Sequence, residues 1–275
     1  MVNLKKAALA VLALSVAGVA SAAMYAPPPA AEAQETTAKH GFYVGVGVGA
    51  LAAADSLSAS GTATSSGILG GTAEGSANND LGGISVNSYV LGGYSWVFPN
   101  KLFLGAEVFG SLTNASGSAS ASTVSASDSG FHSTGVANGG LTFTEEGGYG
   151  VRALPGYQVS PDAVVYAIAG WSNMTANIGV NGSATTTVAD VDAADVAISG
   201  SSSDSYNFNG YQLGLGSMIN VTSNIAVRGD LIWSSYGSKN VAGGAVTAED
   251  TTAQGTVSVD PSSLEANVGV VYTFD

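Results

Sequence analysis

The sequence predicts an all-β fold, namely an eight-stranded antiparallel up-and-down transmembrane β-barrel with four long extracellular loops. First, every second residue over the eleven residues 264–274 is apolar, and this is about the length at which a tilted strand crosses a membrane. Second, four predicted connections exceed about twenty residues and three are shorter than about seven, an alternation typical of membrane barrels and uncommon in compact soluble domains. Third, the chain has 38 Gly and only 10% charged residues, as expected where the apolar face lies outside.

The N-terminus has the features of a secretory signal peptide, which we predict over residues 1–22. Two lysines precede an apolar run of thirteen residues, and Ala-Ser-Ala follows this run as a small-residue cleavage site. This run is shorter than the roughly 20 residues that a membrane-spanning helix needs. Residues 23–39 contain three consecutive prolines and no apolar periodicity, so a Pro-rich periplasmic linker is expected before a barrel domain over residues 40–275.

Eight segments alternate with the period of two that a strand requires. They span residues 40–51, 84–97, 101–112, 143–157, 163–175, 206–219, 224–236 and 264–274. In the first, valines line one face and Gly45, Gly47 and Gly49 the other, as in the crowded interior of a small barrel. Both faces of the fifth strand are apolar, so its register stays open. Because a sheet in hydrocarbon must pair both edges, we expect the last strand to close on the first.

Several aromatic residues near the strand ends are candidates for the interfacial girdles of a membrane barrel. They are Phe42, Tyr94, Trp96, Trp171, Trp233, Tyr272 and Phe274. For any single one of them, ordinary packing on a strand is the alternative interpretation.

The four long connections are rich in Ser, Ala, Gly and Thr, and they cover residues 52–82, 113–141, 176–205 and 237–263. This composition predicts solvated loops that build no core. Asp190, Asp192 and Asp195 could be imagined as ligands of a divalent cation, but they lack the spacing of a calcium loop. We interpret them as exposed, solubilising acids, and no metal site is predicted.

Acidic residues dominate the chain. Lys5 and Lys6 belong to the predicted signal peptide, so five of the seven basic residues face twenty acidic ones in the predicted mature protein. This excess excludes nucleic-acid binding through neutralised phosphates. The chain has no Cys, so it forms no disulfide and offers no thiol chemistry.

Four charged residues fall on the side of the predicted strands that faces away from lipid. Glu107, Arg152, Arg228 and Asp230 sum to zero charge, and arginine forks can bridge carboxylates. The lumen of an eight-stranded barrel is barely wide enough for side chains, so its polar groups must satisfy one another. We therefore predict a luminal charge network that plugs the barrel. The alternative is that these residues lie at the rims, in water.

Catalysis has little support in the sequence. The two histidines are His40 and His132, and the pair His132-Ser133 is a poor nucleophile site because adjacent residues of an extended chain point apart. No catalytic residue, cofactor or enzymatic activity is predicted.

Short motifs along the strands resemble the eight-stranded outer-membrane barrel superfamily, which includes the opacity-type surface proteins and the barrel domain of outer membrane protein A. The motifs are Gly41-Phe42-Tyr43-Val44-Gly45, Phe103-Leu104-Gly105-Ala106-Glu107, Tyr149-Gly150-Val151-Arg152 with Pro155-Gly156-Tyr157, Gly210-Tyr211 with Gly214 and Gly216, and Ala226-x-Arg228-x-Asp230. The resemblance implies an acidic residue where Asp230 stands. It also implies location in the bacterial outer membrane, with loops at the cell surface and contact with outer-membrane lipid and lipopolysaccharide.

The chain end resembles the signal by which outer-membrane barrels are recognised for assembly. The matching residues are Asn267, Gly269, Tyr272 and Phe274, although Asp275 follows the aromatic residue that usually comes last. The barrel-assembly machinery is therefore an implied partner. As function, the resemblance implies a structural, surface-exposed protein whose loops serve adhesion or contact with host surface molecules. A small porin-like channel and a lipid-modifying barrel enzyme are the alternatives, and eight strands disfavour a wide channel because open pores need about sixteen.

Overall fold

The computed structural model describes residues 41–65, 71–128, 132–188, 196–248 and 251–274. Over these residues the fold is all-β, with ten strands. They are β1 Gly41–Ser65, β2 Gly71–Val97, β3 Leu102–Asp128, β4 His132–Ser160, β5 Ala163–Val188, β6 Val196–Asn220, β7 Ile225–Tyr236, β8 Lys239–Ala248, β9 Thr251–Asp260 and β10 Ser262–Thr273. No helix long and apolar enough to cross a membrane occurs among the described residues. The predicted signal peptide and linker, together with Asp190, Asp192, Asp195 and His40, lie outside them.

Eight strands form a closed antiparallel ring in the order β1 to β7 followed by β10. β10 closes the ring by pairing with β1 from Tyr43↔Thr273 to Ala53↔Ser263, as predicted from the apolar alternation of the last strand. Three short turns, at residues 98–101, 161–162 and 221–224, connect strands at the end of the ring where β1 begins and β10 ends. This end is called the turn side below.

Apolar side chains cover the outside of the ring. Phe42, Val46 and Leu215 are each more than 60% exposed, whereas the inward positions between them hold glycines or buried side chains. The fifth strand, whose register was open, places Tyr166 and Ile168 inside and Trp171 outside. In the ring, the apolar face of each strand therefore points outward and the other face points into the lumen.

The outward aromatic side chains form two groups at different heights on the ring. On the turn side, the ring centroids of Phe42 and Tyr94 are 4.8 Å apart, and those of Tyr94 and Trp96 are 4.5 Å apart. At the opposite end of the ring, Tyr149 contacts Trp171 at 6.1 Å and Tyr211 contacts Trp233 at 5.5 Å. Two aromatic girdles flanking an apolar band are what a barrel shows at the two interfaces of a membrane.

Beyond the second girdle the strands continue as an extension made of two sheets. Pairing between β2 and β3 ends at Asn87↔Thr113, and pairing between β6 and β7 ends at Gly210↔Tyr236. Above these points β8, β9, β1 and β2 form one four-stranded sheet, while β3, β4, β5 and β6 form the other. β9 takes over from β10 as the partner of β1, after the break at Pro261.

The two sheets of the extension enclose an apolar core. Its buried residues are Leu141, Phe143, Met174, Ala176, Ile178, Phe208, Tyr236, Val241 and Val259. Backbone and side-chain bonds join the sheets where β6 passes β8, since Gly237 N donates to Asn209 O at 3.0 Å and the Tyr206 hydroxyl donates to Val241 O.

The prediction of four long loops without a core is therefore wrong for the described residues. Tracts rich in Ser, Ala and Gly pair as strands here, because small side chains do not obstruct a backbone ladder. A few apolar residues spaced by two, such as Leu141 with Phe143 and Val257 with Val259, are sufficient to give each sheet one apolar face.

A β-bulge in β4 adjusts which side chains face inward at the base of the extension. The register with β5 shifts between Glu145 and Gly147, and Gly147 has a φ of 130°. Tyr149 consequently faces outward while Phe143 and Glu145 face inward, although all three have odd numbers. The extra residue is what a bulge inserts to re-aim a strand.

Candidate functional site in the lumen

Arg228 of β7 lies at the centre of the ring interior and is 2% exposed. Its Nη1 and Nη2 donate to the two carboxylate oxygens of Glu107 on β3, at 2.6 and 3.0 Å. Its Nε donates to Asp230 Oδ2, also at 2.6 Å. One guanidinium thus holds two carboxylates, and its bond pair to Glu107 is the bidentate fork that favours arginine over lysine.

Arg152 of β4 is directly opposite Glu107 in the register of β3 and β4. Its Nη1 is 3.6 Å from Glu107 Oε1, and its Nε donates to Gln212 Oε1 at 2.8 Å. Its guanidinium lies over the ring of Phe109, 3.6 Å from the centroid. Gln212 Nε2 in turn donates a hydrogen bond to Ser234 Oγ at 3.0 Å. Arg152 is therefore held by one ion pair, one amide and one aromatic ring.

The structure brings together all four residues of the predicted charge network, and they are buried rather than at the rims. Glu107, Arg152, Arg228 and Asp230 sum to zero charge, so the cluster is neutral. Its predicted role as a plug stays a prediction.

Two tyrosines and a glutamine complete this cluster, and sequence reasoning missed them. The Tyr43 hydroxyl donates to Glu107 Oε2 at 3.1 Å, and the Tyr166 hydroxyl donates to Asp230 Oδ1 at 2.8 Å. An inward position on a strand next to a charged inward residue was the available signal, since Tyr43 alternates with the outward Phe42 and Val44.

A second polar cluster lies in the lumen on β1, β2 and β10, nearer the extension. Asn87 Nδ2 and Asn267 Nδ2 both donate to Glu265 Oε2, at 3.0 and 3.2 Å. All three side chains are buried. Around them, the buried oxygens Asn87 Oδ1, Asn267 Oδ1, Tyr89 Oη and Ser263 Oγ have no hydrogen-bond partner. The charge network is fully bonded at its centre, whereas this cluster is not.

The residues of the predicted assembly signal divide between the two faces of β10. Asn267 and Gly269 point into the lumen, while Tyr272 and Phe274 lie outside with ring centroids 5.1 Å apart. Only the two aromatic side chains are therefore available to a partner that approaches the barrel from outside.

No group of three or more His, Cys, Asp and Glu side chains suited to a metal ion occurs among the described residues. His132 is the first residue of β4, at the far end of the extension, tens of residues along the chain from the luminal clusters.

Comparisons with known proteins give structural neighbours only. No family model matches the chain, and no curated protein matches it. Among solved structures, Neisserial surface protein A matches with 14% identity over 85% of this chain and 97% of that chain, at a TM-score of 0.31. The attachment invasion locus protein Ail of Yersinia pestis matches with 14% identity over 81% and 98%, at 0.23. The outer membrane protease OmpT of Escherichia coli matches with 10% identity over 88% and 100%, at 0.25.

Likenesses of this size carry no inference about binding or activity, so the assignment depends on the architecture itself. The ring closes without a free edge, shows apolar side chains outside and ion pairs inside, and has two aromatic girdles. Only hydrocarbon is a suitable solvent for such an outer face, and only a closed barrel satisfies every strand edge there. Single-chain barrels with an even number of antiparallel strands are the form found in bacterial outer membranes. This chain is an eight-stranded β-barrel protein of the bacterial outer membrane.

Proposed function

We propose that this protein is a closed membrane anchor that displays a packed β-structure at the cell surface, where it serves adhesion or contact with host surface molecules. The observation that carries the proposal is the apolar core of the extension, centred on Phe143 and Phe208. A core gives the extension a defined shape, and a shaped surface is what repeated contacts with another surface require.

The interior of the ring supports an anchor rather than a pore. An apolar layer that includes Phe103, Leu154 and Val164 lies below the charge network on the turn side, and the core of the extension lies above it. Arg228 and Glu107 meet at hydrogen-bond distance across the middle. A lumen of eight strands that is filled at three levels leaves no wide aqueous path.

The surface of the extension favours weak, repeated contacts over one tight complex. On β6, residues 201–205 are Ser-Ser-Ser-Asp-Ser, and all five are exposed. Tight protein interfaces are centred on Trp, Tyr and Arg, and none of these five exposed residues is of those types. Many copies in one membrane would supply avidity where a single contact is weak.

A ring-only variant tests the display function. Residues 54–82, 117–138, 178–205 and 239–260 would be replaced by short turns, so that the ring keeps its pairing. We expect cells that carry the ring-only variant to lose attachment to host cells, while the full-length protein confers it. Boiling-dependent gel mobility would verify that the ring-only barrel is folded. Attachment that survives the truncation, or a full-length protein that confers none, would refute the display function.

The two other functional classes make opposite predictions. A small porin-like channel would allow solutes to swell liposomes that contain the purified protein, whereas the closed anchor would not. A lipid-modifying enzyme would hydrolyse lipid A or phospholipid and would lose this activity on His132→Ala. We propose no reaction for this protein, and a His132-dependent activity would overturn that part of the proposal.

We also propose that the barrel-assembly machinery recognises the outward pair Tyr272 and Phe274. Their contact and exposure support this, because an external partner can reach both rings. Phe274→Ala should lower the amount of folded barrel in the outer membrane, whereas substitution of the outward Val268 by Ala should not. Equal amounts of both variants would contradict the proposal.

A further inference from the structure

The second luminal cluster is built around Gly49 of β1. In the register of the ring, Gly49 is opposite Asn87 of β2 on one side and Asn267 of β10 on the other. Glu265 is the next inward residue on β10 and is buried. Because Gly49 has no side chain, both amides can fold over its backbone and reach the same carboxylate oxygen.

This arrangement leaves two amide oxygens without donors near one backbone position. Each amide gives its nitrogen to Glu265, so its oxygen turns away and has no partner. Asn87 Oδ1 and Asn267 Oδ1 both lie within 2.6 Å of the point that a Cβ of Gly49 would occupy, as does the backbone carbonyl oxygen of Ala266. Buried acceptors without donors are costly, so the amides are poorly satisfied in this orientation.

Turning each amide by half a turn exchanges its nitrogen and oxygen, which ordinary structural data do not distinguish. The amide nitrogens of Asn267 and Asn87 then lie beside Gly49, where the Ala266 carbonyl oxygen also lies, and the unpartnered oxygens no longer point there. Both amide oxygens now face the Glu265 carboxylate, at the 3.0 and 3.2 Å that separate the atoms there. Such spacing is that of neighbouring oxygen ligands about 2.4 Å from a hard cation.

The charge balance of the lumen also calls for a cation. Glu265 forms no ion pair among the described residues, while Arg228 and Arg152 are engaged by Glu107 and Asp230. The negative charge of Glu265 is therefore not balanced by either arginine, and the buried Glu145 adds a further acid on the inward side. A proton on Glu265 could serve only one of the two amide oxygens, whereas a metal ion serves both.

We propose that Glu265, Asn87 and Asn267 bind one hard monovalent cation, Na⁺ or K⁺, inside the barrel. A set made only of oxygen ligands suits such an ion, and a single carboxylate matches its single charge. Tyr89 Oη and Ser263 Oγ, both buried and unpartnered, flank the three ligands along the lumen and can hold water molecules that complete the coordination. The site does not depend on the proposed display function.

Thermal unfolding of the purified barrel in detergent tests the site. The midpoint would be compared in NaCl, KCl and choline chloride at equal ionic strength, so that charge screening is constant. We expect the wild-type midpoint to be several degrees higher in NaCl or KCl than in choline chloride. Glu265→Gln should abolish this difference, whereas Glu146→Gln, which removes the same charge from an exposed residue of β4, should retain it. Equal wild-type midpoints in all three salts, or an unchanged difference in Glu265→Gln, would overturn the proposal.

A second measurement needs only the wild-type protein, in case Glu265→Gln does not fold. Crystals grown from NaCl and from RbCl would be compared at the Glu265 carboxylate. We expect either an oxygen-coordinated ion with bonds of about 2.4 Å in the sodium crystals or an anomalous peak in the rubidium crystals. If both crystals show only water at hydrogen-bond distances, the proposal fails.

Discussion

The ring and the extension use the same strands with opposite arrangements of side chains. On β5, Trp171 faces outward in the ring, and a few residues later Met174 and Ile178 face inward in the extension. The ring has its continuous apolar surface outside and its ion pairs inside, whereas the extension has its apolar core inside and Ser, Thr and Asn outside. The solvent around the strand changes from hydrocarbon to water between the two regions, and the apolar face changes with it.

This difference shows that alternation alone does not identify the core side of a strand. A period of two divides residues into two sets, but the surrounding medium decides which set is buried against protein. In the ring the inward set contains charge, so the structure depends on electrostatic pairing. In the extension the buried inward side chains form an apolar core, so stability there depends on packing.

The largest effect should come from removal of the arginine that holds the ring together. Arg228→Ala would leave Glu107 without its fork and Asp230 without its ion pair, both of them buried. Loss of one partner of a buried pair typically costs about 3–5 kcal/mol. We expect the boiling-dependent gel mobility of the folded barrel to be lost or to require much milder heating.

Lys239→Ala is the matched control for Arg228→Ala, because it also removes one cation, but from an exposed position on β8. It should leave the ring unchanged. If Arg228→Ala folded with the heat resistance of the wild type, electrostatic pairing would not be what stabilises the ring.

Phe143→Ala should destabilise the extension and leave the ring folded. The side chain is 1% exposed in the core of the extension, and truncation of a buried phenylalanine costs about 3–5 kcal/mol. We expect the extension to become sensitive to limited proteolysis on intact cells, while the ring keeps its boiling-dependent mobility. Thr142→Ala, on the exposed face of the same strand, is the control. Loss of the ring together with the extension would show that the two regions fold as one unit.

Much of the ring could be predicted from the sequence. Strong alternation divides each strand into two faces, and the row of Gly45, Gly47 and Gly49 indicates which face of the first strand points into the lumen. The same alternation placed Glu107, Arg152, Arg228 and Asp230 inside. Tyr43 and Tyr166 were missed as cluster members because an inward tyrosine in a strand is as often simple packing, and only the register brings its hydroxyl to a carboxylate.

The extension could not be predicted, for a different physical reason. Tracts such as Ser116-Gly117-Ser118 have no apolar alternation, so nothing in them distinguishes a paired strand from a loop. Their pairing depends on neighbours far away in the chain, such as Gly117 opposite Phe143. The bulge at Gly147 could not be predicted either. One extra residue there exchanges the inward and outward positions of β4 between the two sides of the bulge.

A smaller effect is expected at this bulge, which adjusts β4 between the two regions. Gly147 has a φ of 130°, a conformation that costs other residues about 1–3 kcal/mol, and a Cβ there would collide with the backbone of Ser111. We expect Gly147→Ala to lower the unfolding midpoint of the whole barrel. Gly229→Ala is the control, because a Cβ at Gly229 meets no atom within 4 Å. Equal midpoints for the two variants would contradict a specific role for the bulge.

The most direct test of the closed lumen should come from Arg152→Ala. Glu107 keeps both bonds to Arg228 in this variant, so its carboxylate stays paired. The losses are the 3.6 Å ion pair to Glu107 and the charge-assisted hydrogen bond to Gln212, which is worth about 1.5–3 kcal/mol. The guanidinium over Phe109 also leaves the lumen, and water can take its place. We therefore expect a barrel that folds normally but has a higher single-channel conductance than the wild type. Arg152→Lys keeps the charge and most of the volume, so it should remain closed. If Arg152→Ala changed neither conductance nor heat resistance, the charge network would not be the plug, and the apolar layers above and below it would have to close the lumen instead.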